Sequence, residues 1–221
     1  MIEGVSAVLA FVLVRFMLKP YRTFEDSRYL SLPLGFAFLG FSYIFMGISL
    51  LLNAPSSIEK AKWMHLFTGA YAFTFLAVTY YFSAKKSEKE ARPVVQALIS
   101  LSFLLLIFLV VVLFFPPILE IPDYKAADEY FRLFNMLMAL YTVFHTLKSH
   151  MEEPEPSTIF APLGYALLAF SQYSLLIWSV DSSFSAFLGA HILRISSLLI
   201  FLYLSCAPLI SPRKTRQVEQ Q

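Results

Sequence analysis

The chain has 221 residues, of which 58% are hydrophobic and 14% charged, and its formal net charge is +2. Soluble domains average about 45–50% apolar and about 25% charged residues, so the excess apolar surface must face lipid or other helices. This excludes a soluble enzyme, and with no Walker loop and no soluble domain to carry one it also excludes nucleotide hydrolysis.

Seven apolar stretches follow one another at about 4–20, 31–53, 63–84, 94–116, 127–148, 158–180 and 184–207. Most reach the roughly 20 residues that a helix needs to cross about 30 Å of hydrocarbon. The expectation is an all-α integral membrane protein, a receptor-like bundle of seven transmembrane helices. One transmembrane domain fills 1–211, followed by a tail over 212–221.

The first stretch, "GVSAVLAFVLV", runs into Arg15 and Lys19, cations that snorkel to headgroups from the end of a span. The opening "MIEG" has neither the basic start nor the small-residue cleavage site of a signal peptide, so a retained first helix is predicted. The second stretch begins with Pro33, and proline in a first helical turn sacrifices no hydrogen bond. The third contains His65 near its start. The connection "FPPILEIPDYKAADEY" leads into the fifth, which brings Asp128, Arg132 and Asn135 onto one helical stripe, with His145 and His150 at its far end. The sixth carries Gln172, Tyr173 and Trp178. The seventh places His191 three residues before Arg194, near mid-span, with Cys206 beyond them. A lone cysteine makes an internal disulfide impossible and reads as a small apolar residue.

"PLGFAFLGFS" at 33–42 recurs as "PLGYALLAFS" at 162–171 with seven identities in ten, and the same spacing of 129 carries Lys19 onto Lys148. This predicts a 3+1+3 arrangement of parallel repeats, 1–84 and 127–207, joined by a linker helix at 94–116. Gly35, Gly40, Gly164 and Ala169 then mark a close packing seam between helices.

Charge is segregated between the connections. One side has Arg15, Lys19, Arg22, Arg28, Lys85, Lys86, Lys89, Arg92, Lys148, Arg213, Lys214 and Arg216; the other has only Lys60, Lys62, Lys125 and Arg132. The positive-inside rule places the N-terminus outside and the C-terminus in the cytoplasm of a multi-pass plasma-membrane protein. Anionic lipid accounts for these cations without any nucleic acid.

Ionisable groups within a span are functional candidates because burying them unpaired is costly. His65, Asp128, Arg132, Asn135, Gln172, Tyr173, Trp178, His191 and Arg194 share one end of the bundle and form the candidate ligand-binding set, with no catalytic and no metal residue assigned. A polar end, an aromatic wall and an apolar interior suit a small amphipathic ligand such as a lipid or quinone. Arg194 either meets that ligand or ties helices together, through carbonyls or Asp128. His65 and His191 also allow a bis-histidine haem. Enzyme chemistry is disfavoured, for neither "GxSxG" nor "HExxH" occurs.

Seven spans with an external N-terminus resemble the arrangement of microbial rhodopsins, and two three-helix units joined by one helix resemble SWEET-type sugar transporters. Rhodopsins attach retinal to a lysine of the seventh helix; "FSAFLGAHILRISSLLIFLYLSC" has none, which excludes that Schiff base. The functional expectation is a binding or sensory protein that signals through a separate membrane-protein partner. The alternatives are a small-solute transporter working by alternating access, a haem-binding redox protein, and a structural subunit of a membrane complex.

Overall fold

The structure, a computed structural model, describes residues 1–24, 31–83, 123–152, 154 and 158–210, with positions 96, 100, 103, 104, 106 and 107 between them. These residues form six helices: α1 (Ile2–Phe24), α2 (Ser31–Ser49), α3 (Pro55–Ser83), α4 (Tyr124–Glu152), α5 (Phe160–Asp181) and α6 (Phe184–Ile210). Neighbours in this order pack together and α1 closes against α6, making a ring around one core.

The expected bundle of seven spans is not what the chain forms. Among the described residues three helices are long and apolar enough to cross a membrane: α2, α5 and, over Phe184–Cys206, α6. The protein is a multi-pass helical membrane protein, and the seven-helix, receptor-like arrangement is corrected to six helices with three spans. The reason is polarity. The middle of α3 is diluted by His65, Thr68, Thr74 and Thr79, that of α4 by Arg132, Asn135, Thr142 and His145, and both helices take in polar ends. Glu59, Lys60 and Lys62 belong to the first turns of α3, and Lys125, Asp128, Glu129 and Arg132 to those of α4. The stretch at 94–116 lies almost wholly outside the described residues. So do the side chains of Lys19, Arg22, Arg28, Lys85, Lys86, Lys89, Arg92, Arg213, Lys214 and Arg216, and the orientation read from seven crossings falls with the seven crossings.

Local chemistry fits the observed boundaries. Pro55 opens α3, while Pro33 and Pro162 sit in the first turns of α2 and α5, where no amide proton is needed. The end of α5 is closed by Ser182, whose left-handed backbone (φ 52°) lets its amide donate to the Trp178 carbonyl at 2.8 Å. Only Ser182 and Ser183 then separate α5 from α6, which makes the two an antiparallel hairpin.

Glycine matters where helices touch. A Cβ on Gly164 would come within 2.8 Å of the Phe201 ring, and one on Gly35 within 2.8 Å of Leu76. These contacts join α5 to α6 and α2 to α3. Hydroxyls reinforce them: Ser42 donates to the His65 carbonyl at 2.9 Å, and Ser171 to the Ala190 carbonyl at 2.9 Å.

Mid-depth is dry. Phe36, Leu39, Phe73, Leu76, Leu168 and Leu198, from four helices, are all fully buried. This apolar layer separates two polar ends. One holds Glu3, His65 and Arg194; at the other, the Tyr80 and Tyr165 hydroxyls meet at 3.1 Å.

Candidate functional site

The Glu3 end is assembled by several helices whose buried faces carry polar groups among small ones. On α1, Glu3, Ser6, Ala7, Ala10 and Leu13 recur at helical spacing and are all buried. On α4 the buried residues are Asp128, Arg132, Asn135, Ala139, Thr142 and Thr146, a stripe with alternating steps of four and three. The Thr142 and Thr146 hydroxyls donate back to the carbonyls of Met138 and Thr142, which settles them without partners on other helices.

Two buried ion pairs face each other there. Arg194 Nη2 on α6 lies 3.0 Å from Glu3 Oε1 and donates to His191 Nδ1 at 2.7 Å. Its guanidinium carbon stands 4.4 Å over the Tyr43 ring, and His191 Nδ1 is 3.8 Å from the same Glu3 oxygen. On α4, Arg132 Nε donates to Asp128 Oδ2 at 2.6 Å. Glu3, Asp128, Arg132 and Arg194 are each more than 90% buried, so their charges are screened little by solvent.

A third pairing clamps α2 to α3. Ser42 Oγ donates to the His65 carbonyl, and His65 Nδ1 lies 3.0 Å from the Ser42 carbonyl and 2.8 Å from Ser42 Oγ. The proton therefore sits on Nδ1, which leaves Nε2 as the acceptor. Burial, and after it the charge of Arg132, holds the His65 imidazole below its usual pKa, so the ring is neutral at pH 7.

Between these groups is a cavity of about 40 Å³, lined among others by Glu3, Tyr43, His65, Arg132, Asn135 and Arg194. Gly69 borders it: a Cβ there would lie 3.3 Å from Ser42 Oγ and 3.7 Å from Asn135 Nδ2. Among the described residues, Glu3 Oε2, Tyr43 OH, Asn135 Oδ1 and Arg194 Nε have no hydrogen-bond partner. These are two donors and two acceptors on the residues around one space. A water needs about 10–15 Å³ of such volume, so the space holds two or three non-hydrogen atoms.

Of the residues expected from sequence, His65, Arg132, Asn135, Gln172, Trp178, His191 and Arg194 line this cavity. Asp128 stands behind it as the partner of Arg132. Tyr173 does not join them, being 49% exposed. The partner of Arg194 is Glu3, not Asp128. Glu3, Ser42, Tyr43 and Phe187 are lining residues that sequence reasoning passed over. The helical spacing of Glu3 with Ser6, Ala7 and Ala10 is the signal that would have found Glu3.

A haem does not fit. Pockets for drug-sized ligands occupy about 300–1,000 Å³, and the His65 and His191 rings are held by Ser42 and by Arg194. Among the described residues no group of three His, Cys, Asp or Glu is placed to hold a metal ion.

In comparisons with known proteins the chain matches no family model, no curated protein and no solved structure.

Proposed function

We propose that this multi-pass membrane protein is a binding or sensory protein of the plasma membrane. Its Glu3-end cavity takes the polar group of a small amphipathic ligand, and occupancy is passed through the helices to a separate membrane-protein partner. The carrying observation is the set of four unpartnered polar atoms on buried residues around one cavity. Leaving such an atom unpaired costs about 1–3 kcal/mol, so a polar group that meets two or three of them gains affinity here. The size of the space limits what enters. A headgroup of a few atoms fits, while the apolar remainder of the ligand stays among side chains or lipid.

The dry layer of Phe36, Leu39, Phe73, Leu76, Leu168 and Leu198 supports binding over passage, because it seals the cavity from the other polar end. Transport by alternating access is the second reading. It is favoured by the matching bonds of Ser42 and Ser171, which stand 129 residues apart and each reach a carbonyl of the next helix. That correspondence also supports reading 1–84 and 127–207 as repeat units within a single domain.

Native mass spectrometry of gently purified protein tests the proposal. A stoichiometric small adduct that is absent from an Arg194→Gln variant is the expected result. Bare protein from several lipid backgrounds, together with saturable solute flux in reconstituted vesicles, would replace the first reading with the second.

A further inference from the structure

Glu3 is itself a carboxylate seated on the cationic side of the cavity. It reaches Arg194 at 3.0 Å and His191 at 3.8 Å from the first turn of α1, while its second oxygen has no partner among the described residues. We infer that Glu3 is a tethered occupant of a carboxylate site formed by Arg194 and Tyr43, and that the ligand of this protein is a monocarboxylate that displaces it and frees the start of α1. This inference rests on the ligand-binding reading above and names its chemical class.

Charge selects the class. Arg132 is already matched by Asp128, so departure of Glu3 leaves Arg194 as the one unmatched arginine of the site among the described residues. A monoanion restores the balance, whereas a phosphate dianion would overshoot it in a buried setting where excess charge is costly. Volume agrees: the ligand's carboxylate has the same three heavy atoms as the Glu3 carboxylate whose place it takes, and the adjoining cavity of about 40 Å³ gives it room to enter.

The hold on the first two turns of α1 is weak apart from Glu3. In the first two turns its other buried side chains are Ser6 and Ala7, with Ala10 next, all small, and the Ser6 hydroxyl donates to Ile2 within the same helix. Val5 and Val8 are exposed, and Gly4 has no atom within 4 Å of where a Cβ would stand. A ligand that takes the Glu3 position therefore removes the principal directional contact of this segment. The displaced and seated states differ in their affinity for the ligand, which is the condition for a ligand to shift a conformational equilibrium.

The test uses the full chain in lipid nanodiscs, with Trp63→Phe so that Trp178, which lines the cavity, is the fluorescent reporter. Acetate and laurate are the probes. Binding by both assigns the site to the carboxylate alone, and binding by laurate only assigns it to a fatty-acid headgroup. Glu3→Gln removes the competing charge and is expected to bind the active probe about tenfold more tightly than the parent. Glu3→Asp, which keeps the charge but is too short to seat, is the second variant and is expected to tighten binding as well. Arg194→Gln is expected to bind neither probe. Hydrogen exchange over residues 2–10 should speed up when the parent binds ligand, and should already be fast in Glu3→Gln. Unchanged affinity in both Glu3 variants, or ligand binding without faster exchange, overturns the displacement while leaving the ligand-binding reading in place. Absence of binding by every variant overturns both.

Discussion

The pair between Arg194 and Glu3 can be dissected by a double-mutant cycle. At 3.0 Å and an effective dielectric of about 20, two unit charges attract by about 5–6 kcal/mol, and desolvation offsets a large part of that. The two ends of the pair are not equally supported. Arg194→Met strands the Glu3 carboxylate, one of whose oxygens is already unpartnered, so this change is expected to cost about 3–5 kcal/mol. Glu3→Gln leaves a guanidinium that still stacks on Tyr43 and still donates to His191, so the expected cost is only about 1–3 kcal/mol. The double variant should fall short of the sum by about 2–3 kcal/mol, because neither charge then lacks its counterion. Equilibrium unfolding in mixed micelles with increasing dodecyl sulfate, followed by circular dichroism, measures all four proteins. Additive single changes, agreeing within about 0.5 kcal/mol, would refute the coupling and with it the view that Glu3 holds α1 in place.

Other changes test the packing and the cavity by the same unfolding assay. Gly164→Ala should destabilise by about 1–3 kcal/mol, since its methyl would meet the buried Phe201 ring at 2.8 Å, despite the better helix propensity of alanine. Gly4→Ala has open space and should be neutral or stabilising by up to about 1 kcal/mol; equal losses at both positions would contradict the contact argument. Ser171→Ala removes one inter-helix bond and should cost about 0.6 kcal/mol. Ser42→Ala should cost about twice that, because the His65 ring loses its hydroxyl contact too. Asn135→Leu removes an unpartnered acceptor and fills the cavity, so stability should hold within about 1 kcal/mol while the native-mass adduct disappears. Retention of the adduct would place the ligand elsewhere.

Much of this architecture is written locally in the chain. The sixth and seventh apolar stretches coincide within a few residues with α5 and α6, since both are predominantly apolar and a two-residue turn separates them. The stripe of Asp128, Arg132 and Asn135 was legible because every third or fourth residue shares a helix face, and the structure buries all three. Apolar length alone misled where charge flanks it. The third stretch begins at 63 by hydropathy, yet α3 starts at Pro55. Glu59, Lys60 and Lys62 are good helix formers although poor membrane residues. Tyr173 was misplaced because it neighbours Gln172, and consecutive residues on a helix point in directions about 100° apart. Glu3 was overlooked because its role depends on α1 meeting α6, a contact between helices far apart in sequence that no local pattern announces.

Helix α4 bears on the proposed exchange of anions at Arg194. Its exposed residues include Tyr130, Phe134, Leu137, Tyr141 and Phe144, while its buried face carries Asp128, Arg132 and Asn135. That polarity is the reverse of a water-facing helix, and its buried polar groups find partners only inward. Water then cannot screen the interior, so Arg132 and Arg194, which line the same cavity, are tolerated together only because each has its own carboxylate. The two carboxylates differ in what holds them. Asp128 lies on the same helix as Arg132, four residues away, and stays within reach of its partner as long as α4 is folded. Glu3 belongs to another helix and sits in its first turn, held by side-chain contacts alone. Under the displacement proposed above, the exchangeable position in the cluster is therefore the anion on Arg194, and a ligand that competes there acts on α1.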